Sequence, residues 1–180
     1  MDQVLHWDQE LFLYLNGLNE GNFDSFWLLV TRIENWIPLY ILFFILFWKK
    51  LPRKKALLAT ISTVVLLGIT LGLTNIIKNF VTRLRPSNEP SLEGLVRVLQ
   101  NNSDFSFFSG HSAVSFAVSI FVILVLKQHT KWIWGILIWP FLFALSRIFV
   151  GAHYPSDLFV GAIVGISLAI VSKKVLSKVL

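Results

Sequence analysis

The stretch ALLATISTVVLLGITLGLTNII, residues 56–77, contains 22 consecutive residues without a charge. A helix of about 20 such residues crosses the hydrocarbon core of a bilayer. This stretch, which is flanked by Lys55 and Lys78, therefore predicts a transmembrane helix. A second uncharged stretch of the same length, residues 105–126, predicts another span and has His111 inside it.

The composition of the whole chain also indicates a membrane protein. Of the 180 residues, 55% are hydrophobic and 14% are charged, and the mean hydropathy is +0.68. Soluble domains carry about 25% charged residues, and disordered chains are poor in apolar ones. A soluble bundle of buried helices is the alternative, but it seldom has consecutive apolar segments of this length. The chain has no cysteine, which excludes disulfides, thiol nucleophiles and cysteine metal sites.

The charge-free segments predict an all-α fold, a polytopic membrane helical bundle that forms one domain over residues 1–180. An amphipathic N-terminal segment, residues 1–21, is predicted to lie as a helix in the outer interface. The alternative for this segment is a sixth span, which would place the N-terminus in the cytoplasm. Five transmembrane helices are predicted after it, at residues 22–48, 56–78, 110–127, 131–150 and 156–173.

The basic residues predict the orientation of these spans. Ten of the 16 lysines and arginines lie in three clusters without acidic residues, at 49–55, 127–131 and 173–178. Five spans place all three clusters on one side, which the positive-inside rule makes cytoplasmic. We therefore expect a multi-pass protein of the plasma (inner) membrane with a cytoplasmic C-terminus. The net charge of +6 would suggest nucleic acid in a soluble protein, but its placement beside the spans argues against that partner.

The first of three charged segments on the opposite, outer face runs from Lys78 to Pro86. Lys78 and Arg85 are seven residues apart, which on a helix places both on one face about 10 Å apart. Two cations in this arrangement can hold an anion, and arginine supplies a bidentate fork. Interfacial snorkelling is the alternative. Arg83 lies off that helical face, so we expect a milder loss when it is mutated.

The second segment contains Ser109, Gly110 and His111 at the start of the third span. Ser109 suits a helix N-cap, and Gly110 lets the backbone approach a ligand closely. The helix N-terminus favours an anion, and His111 in the first turn would face that anion. A simple capping turn with an incidental histidine is the alternative.

The third segment contains Arg147, His153, Pro155 and Asp157. Pro155 suits the first position of the fifth helix, which places His153 just before it and Asp157 in its first turn. A carboxylate four residues after a histidine can accept a hydrogen bond from one imidazole nitrogen, which frees the other nitrogen for attack. A local His–Asp cap is the alternative. Together the three segments suit a phosphoryl group in a charged transition state.

These residues resemble the three-part signature of the type 2 phosphatidic acid phosphatases, a superfamily that also includes vanadium haloperoxidases and some soluble bacterial acid phosphatases. The family's second motif usually begins with proline, where this chain has Phe108, and we expect activity to survive this difference. Because the haloperoxidase branch is soluble, vanadate chemistry is not expected. The matching pattern is Lys78-x6-Arg85-Pro86, Ser109-Gly110-His111 and Ser146-Arg147-x5-His153-x3-Asp157.

The resemblance implies a role for each matched residue. His153 would be the nucleophile that forms a phosphohistidine, Asp157 would orient it, and His111 would protonate the leaving oxygen. Family members of this type need no metal, and we expect no cofactor, since the sequence offers no obvious acidic cluster for magnesium. The groups that would bind the phosphoryl oxygens are Lys78, Arg85, Arg147, Ser109 and Gly110.

The sequence therefore predicts a membrane lipid phosphatase that hydrolyses a lipid phosphomonoester or diphosphate at the outer membrane face. Undecaprenyl diphosphate, phosphatidylglycerol phosphate and phosphatidic acid are candidate substrates, as is lipid A in an organism that makes it. The loop at residues 87–108 is predicted to cover the site and select the headgroup, with Arg97 on a distal phosphate; a passive linker is the alternative. A non-catalytic polytopic transporter or lipid-binding protein is the alternative class. The sequence does not indicate an oligomeric state.

Overall fold

The computed structural model describes residues 2–18 and 21–179, and all the regular elements in these ranges are helices. The all-α prediction is therefore confirmed. The α-helices are α1 (Asp2–Gly17), α2 (Asp24–Thr31), α3 (Ile37–Lys50), α4 (Arg53–Val81), α5 (Gly110–Leu126), α6 (Ile138–Phe149) and α7 (Pro155–Val179). Short 3-10 helices lie between them at Ile33–Trp36, Pro86–Asn88, Pro90–Leu92 and Lys131–Leu137.

Within the described ranges, three helical segments are long and apolar enough to cross a membrane: Arg53–Leu92, Lys131–Phe149 and Pro155–Lys178. Helices α2 and α3 meet the same test together, as a pair bent by 70°. Helix α5 is apolar but shorter, with 17 residues. Apolar side chains on α4, such as Ile61 and Val65, are exposed on the outside of the bundle, as a lipid-facing surface requires.

The structure divides the predicted span at residues 22–48 into two helices. Helix α2 ends at Thr31, and its last carbonyls are satisfied by side chains of the following 3-10 turn. The Asn35 amide donates to the carbonyl of Leu29 at 2.7 Å, and the Trp36 indole N–H donates to the carbonyl of Val30 at 2.8 Å. These bonds replace the helical ones, so the chain can change direction here.

Helix α5 lies at the centre of the bundle, where it contacts α4, α6 and α7. Two glycines of α7 allow the closest of these contacts. A Cβ atom at Gly161 would lie 2.7 Å from the Ser109 carbonyl, and one at Gly165 would lie 2.2 Å from the Ala113 carbonyl. The missing side chains let the two backbones meet. The start of α5 is therefore held beside the start of α7.

Helix α4 ends before Arg85, although the prediction that Lys78 and Arg85 share one helical face requires a helix that includes both residues. Its last residue is Val81, and Thr82 adopts a left-handed conformation with a φ of 53° that ends the helix. Arg85 lies in the non-helical chain beyond this point. The predicted helical register of the two cations is therefore wrong.

Helix α1, which covers most of the segment predicted to lie in the outer interface, packs against α6 and α7. Phe12 is fully buried and its ring meets that of Tyr154 edge-on, with centroids 5.5 Å apart. The Asn16 amide donates to the carbonyls of Arg97 and Ile148 at 3.1 and 2.9 Å and accepts from the Arg97 N–H at 2.9 Å. Helix α1 therefore packs onto the end of the bundle where the three charged segments of the sequence lie.

Candidate active site

The three sequence segments meet around one cavity of about 420 Å³. Its charged end combines the end of α4, the start of α5, the end of α6 and the turn before α7. The side chains that line this end are Lys78, Arg85, Asp104, His111, Arg147 and His153, together with the backbone of Gly110. Sequence positions up to 75 residues apart thus form one site.

His153 is almost completely buried, at 1% exposure, in the turn between α6 and α7. Gly151 has a φ of +80°, which allows this turn, and Pro155 begins α7 as predicted. The Nδ1 atom of His153 lies 3.3 Å from Oδ2 of Asp157. Its Nε2 atom lies 3.1 Å from Nη1 of Arg85.

The contacts of His153 define its tautomer. A guanidinium nitrogen can only donate, so Nε2 accepts from Arg85 and carries no proton. Nδ1 then holds the proton and donates it towards the carboxylate of Asp157. Burial lowers the pKa of His153 well below its ordinary value, and the positive charges of Arg85 and Arg147 lower it further. The imidazole is therefore neutral near pH 7, with the Nε2 lone pair directed at Arg85.

Asp157 is fully buried and is fixed by several donors. Its Oδ2 atom accepts from the hydroxyl of Ser106 and from the backbone N–H of Tyr154, the latter at 3.0 Å. Its Oδ1 atom accepts from Nη1 of Arg83 at 2.9 Å. These bonds hold the carboxylate in one orientation, which in turn holds the histidine ring.

Arg83 therefore contacts the site residue Asp157, and the helical face on which its expected position was based does not exist, because α4 ends at Val81. Its guanidinium bridges Asp157 and Asp8 of α1, with 2.7 Å between Nη2 and the Asp8 carboxylate. It also covers the ring of Tyr154, 3.8 Å from the centroid. The helical-face argument failed because the helix ends at Val81, so a spacing of two residues no longer turns Arg83 away from Arg85.

Asp8 connects α1 to the start of α7. Its carboxylate accepts from the backbone N–H of Ser156 at 2.9 Å and from the Ser156 hydroxyl, in addition to Arg83. We call the hydrogen-bonded network of Asp8, Arg83, Asp157 and His153, which contains the predicted nucleophile, the nucleophile side of the site. Sequence reasoning did not single out Asp8 or Ser106, and it placed Arg83 off the helical face of Lys78 and Arg85. A signal was available for Arg83, because membrane insertion gives no reason for an arginine on the outer face and such a residue is a candidate for the site.

Lys78 and Arg85 converge on Asp104 of the 87–108 loop. Nζ of Lys78 lies 2.5 Å from Oδ2, and Nη2 and Nε of Arg85 lie 2.7 and 3.1 Å from Oδ1. Burial alone would raise the pKa of Asp104, but the hydrogen bond from Lys78 and the charge of Arg85 hold it below its ordinary value. Asp104 is therefore an anion on the two cations that the sequence assigned to phosphate.

Arg147 is also buried beside the cavity. Its Nη1 atom donates to the hydroxyl of Thr31 and to the Gln100 side-chain oxygen, the latter at 2.8 Å. Its Nε atom is buried and has no hydrogen-bond partner among the described residues. Such a donor needs an acceptor. We call Asp104 and the three cations predicted to bind phosphate, Lys78, Arg85 and Arg147, the phosphate side of the site.

The remaining predicted residues lie at the start of α5. His111 lines the cavity, and its ring lies against that of Phe143 with centroids 4.8 Å apart. Ser109 is the N-cap, as predicted, and its hydroxyl accepts from the Ser112 N–H at 3.4 Å. The hydroxyl thus has a structural task, and its contact with phosphate stays a prediction. A Cβ at Gly110 would lie 3.3 Å from a methyl carbon of Thr74, so α4 and α5 are close here.

The 87–108 loop reaches the cavity through Asn102 and Asp104. Arg97, by contrast, forms an ion pair with Asp24 of α2. The expected contact of Arg97 with a distal phosphate therefore has no basis in its position. Among the described residues, no group of three or more histidine or acidic side chains is arranged to hold a metal ion.

Comparison with known proteins identifies the family. Residues 56–179 match the model of the PAP2 superfamily, so the chain belongs to that superfamily, and the family resemblance found in the motifs is confirmed. A Lipid A 4'-phosphatase of Bacteroides thetaiotaomicron is 32% identical over 162 residues, which are 88% of this chain and 72% of the relative. An undecaprenyl-diphosphatase of Sulfolobus acidocaldarius is 28% identical over 168 residues, 91% of this chain and 76% of the relative.

The fold is likewise that of a solved family member. The crystal structure of a transmembrane PAP2-type phosphatidylglycerolphosphate phosphatase from Bacillus subtilis superposes with a TM-score of 0.79 at 21% identity. The match covers 100% of this chain and 89% of that one. The chain is thus an integral membrane protein of the PAP2 lipid phosphatase family. Helices α1 to α3, with Asp8 and Thr31, precede the residues matched by the family model.

Proposed function

We propose that the protein hydrolyses a lipid phosphomonoester or diphosphate through a phosphohistidine formed on Nε2 of His153. The observation that carries this proposal is the position of Nε2. The atom is unprotonated, buried and 3.1 Å from Arg85, in the cavity shared with two further cations and His111. A phosphoryl group bound by those cations would lie within reach of this lone pair.

The first step forms the phosphoenzyme. Nε2 of His153 attacks the terminal phosphorus while the bond from this phosphorus to the leaving oxygen breaks, and His111 donates a proton to that oxygen. The leaving oxygen is the ester oxygen of a lipid monophosphate or the bridging oxygen of a lipid diphosphate. Asp157 accepts the Nδ1 hydrogen bond, which strengthens as the ring becomes positive. Lys78, Arg85 and Arg147 neutralise the phosphoryl oxygens in the transition state.

The second step releases phosphate. His111 has lost its proton and now accepts one from a water molecule, which attacks phosphorus as the bond to Nε2 breaks. Inorganic phosphate leaves and His153 returns to its neutral form. Each proton that His111 donates in the first step is regained in the second.

The apolar end of the cavity supports a lipid substrate. It is lined by Tyr40 of α3, Leu67 and Leu71 of α4, and Val114 of α5. An acyl or prenyl chain can lie between these helices while its headgroup reaches the charged end. Undecaprenyl diphosphate, phosphatidylglycerol phosphate, phosphatidic acid and lipid A all present a phosphate to the same cations.

The proposed topology has five spans, with the cavity on the extracytoplasmic face and the C-terminus in the cytoplasm. The spans are the bent α2–α3 pair, α4, α5, the 3-10 turn with α6, and α7. The helix directions support it, because the basic clusters at 49–55, 127–131 and 173–178 lie at the helix ends opposite the cavity. Clusters without acidic residues favour the cytoplasmic side.

The test is release of phosphate from a panel of these lipids by the purified protein in detergent. We expect His153→Ala to abolish turnover, while the control His129→Ala, at the opposite helix ends, keeps it. Substrate labelled on the transferred phosphate should leave acid-labile label on the wild-type protein and none on His153→Ala. Full activity of His153→Ala would overturn the proposal, and binding of lipid without any turnover would favour the non-catalytic alternative.

A further inference from the structure

We propose that the carboxylate of Asp104 occupies the phosphate position on Lys78 and Arg85 and exchanges with phosphate during each turnover. This inference rests on the proposed function and adds a residue that none of the three motifs contains. Asp104 would yield its place when the substrate phosphate arrives and recover it as inorganic phosphate leaves. It would thereby limit the affinity of the enzyme for its own product.

The first argument is the shape of the contact. The two oxygens of one carboxylate bridge two different cations, with Oδ2 on Lys78 and Oδ1 on Arg85. Two oxygens of a phosphoryl group have a similar spacing and would make the same bridge. The same guanidinium lies 3.1 Å from Nε2 of His153, so an anion bound by Arg85 is next to the attacking atom. Phosphate and the Asp104 carboxylate thus compete for one place.

The second argument is the difference in exposure between the partners. The side chain of Asp104 is 57% exposed, whereas those of Lys78 and Arg85 are 10% and 4% exposed. When the pair separates, water can solvate the carboxylate but cannot reach the cations to the same extent. Buried cations require an anionic partner. The two cations therefore hold an anion in each state, first Asp104 and then phosphate.

The third argument is the freedom of Asp104 to move. It lies in the part of the 87–108 loop that follows the last 3-10 turn and precedes α5, where the chain has no regular secondary structure. A change of side-chain rotamer, without movement of a helix, is enough to release the carboxylate. The backbone carbonyl of Asp104 also accepts from Nε of Arg85 at 2.9 Å, which keeps the loop in place.

The consequence is a lowered affinity for phosphate. A ligand can bind only to those protein molecules in which the resident group has left the site. Its apparent dissociation constant is therefore the intrinsic constant divided by the fraction of sites that are open. Removing the carboxylate should therefore tighten phosphate binding. Because the cations hold the pKa of Asp104 below its ordinary value, the competition persists throughout the neutral pH range.

The experiment measures equilibrium binding of labelled inorganic phosphate to the purified protein in detergent, together with product inhibition of turnover. Asp104→Asn keeps the shape of the side chain and removes its charge, and Asp104→Ser is a second variant should the first not be monodisperse. The control is Glu93→Gln, an exposed residue of the same loop that also removes one negative charge. We expect both Asp104 variants to bind phosphate about tenfold or more tightly and to show a matching fall in the inhibition constant, while Glu93→Gln changes little.

Arg85→Ala separates failure of this inference from failure of the proposed function. If Arg85→Ala loses phosphate and the Asp104 variants bind it no more tightly than Glu93→Gln does, the exchange is overturned and the phosphatase proposal stands. If Arg85→Ala binds phosphate as well as wild type, these cations do not form the phosphate site, and both proposals fall.

Discussion

The nucleophile side and the phosphate side of the site are built differently, although both pair carboxylates with arginines. On the nucleophile side Asp157 is fully buried and each carboxylate oxygen has donors from the protein. On the phosphate side Asp104 is mostly exposed, and Nε of Arg147 lacks a partner among the described residues. A satisfied, buried network fixes one geometry, whereas an exposed partner can be exchanged. The contrast teaches that the side chains around His153 are held in one geometry, whereas the cations opposite them have a partner that water can reach, as the two proposals require.

Among the residues that support His153 on the nucleophile side, Asp157 should give the largest effect when it is replaced. Asp157→Asn cannot stabilise the positive ring that forms in the transition state, and its amide can favour the wrong tautomer of His153. We expect kcat to fall by about 10³-fold or more, as for the buried aspartate of other His–Asp pairs. The measurement is steady-state phosphate release. A loss of less than tenfold would show that Asp157 does not orient the nucleophile.

Mutations of Arg83 and Arg85 should distinguish the two sides of the site most clearly, because the two arginines lie on different sides. Arg83→Ala should lower kcat by about 10²-fold with little change in KM, because it touches Asp157 and not phosphate. Arg85→Ala should raise KM and the inhibition constant for phosphate as well. The measurement is kcat and KM for both variants on one lipid phosphate.

Folding is the main complication for Arg83, because removing one partner of a buried ion pair costs of the order of 3–5 kcal/mol. Arg83→Lys keeps the charge and should restore part of kcat, which a purely structural loss of packing would not predict. Equal KM effects in Arg83→Ala and Arg85→Ala would mean that the two sides are not distinct.

Replacement of Asp8 should give the smallest effect of the three. Asp8→Asn keeps hydrogen-bonding capacity towards Ser156 but weakens the hold on Arg83, so we expect kcat to fall by about tenfold and KM to stay unchanged. Glu10→Gln is the matched control, since Glu10 lies on the same helix and is exposed. Turnover of both variants is measured alongside thermal unfolding. If Asp8→Asn loses no more activity than Glu10→Gln, the contact of Asp8 with Arg83 does not contribute to turnover.

Some contacts of the site could be predicted from the sequence because they join residues that are only a few positions apart. The spacing of four residues between His153 and Asp157 is enough to bring their side chains together at a helix start, and the structure shows this contact. Ser109 caps α5, and Pro155 begins α7, for equally local reasons. The helical arrangement of Lys78 and Arg85 failed because a local stop at Thr82 ends α4 before Arg85.

The contacts of Asp8, Arg83 and Asp104 could not be predicted from spacing. Asp8 and Arg83 are 75 residues apart, and their pairing depends on how α1 packs across α7. Asp104 lies in an irregular loop whose path no periodicity specifies. The charge pattern predicted that three charged segments share one membrane face, but it did not indicate which of their charges form pairs.

The sequence by itself determined an all-helical membrane protein and the three motifs of its family, because length, hydropathy and short spacings are local properties of the chain. The tertiary structure alone decided which charges pair. It places Arg83 between the carboxylates of Asp8 and Asp157 on one side of His153, and it places Asp104 on Lys78 and Arg85 on the other side. The physical reason is that a buried charge takes its partner from whichever segment the packing of the helices brings within a few ångströms.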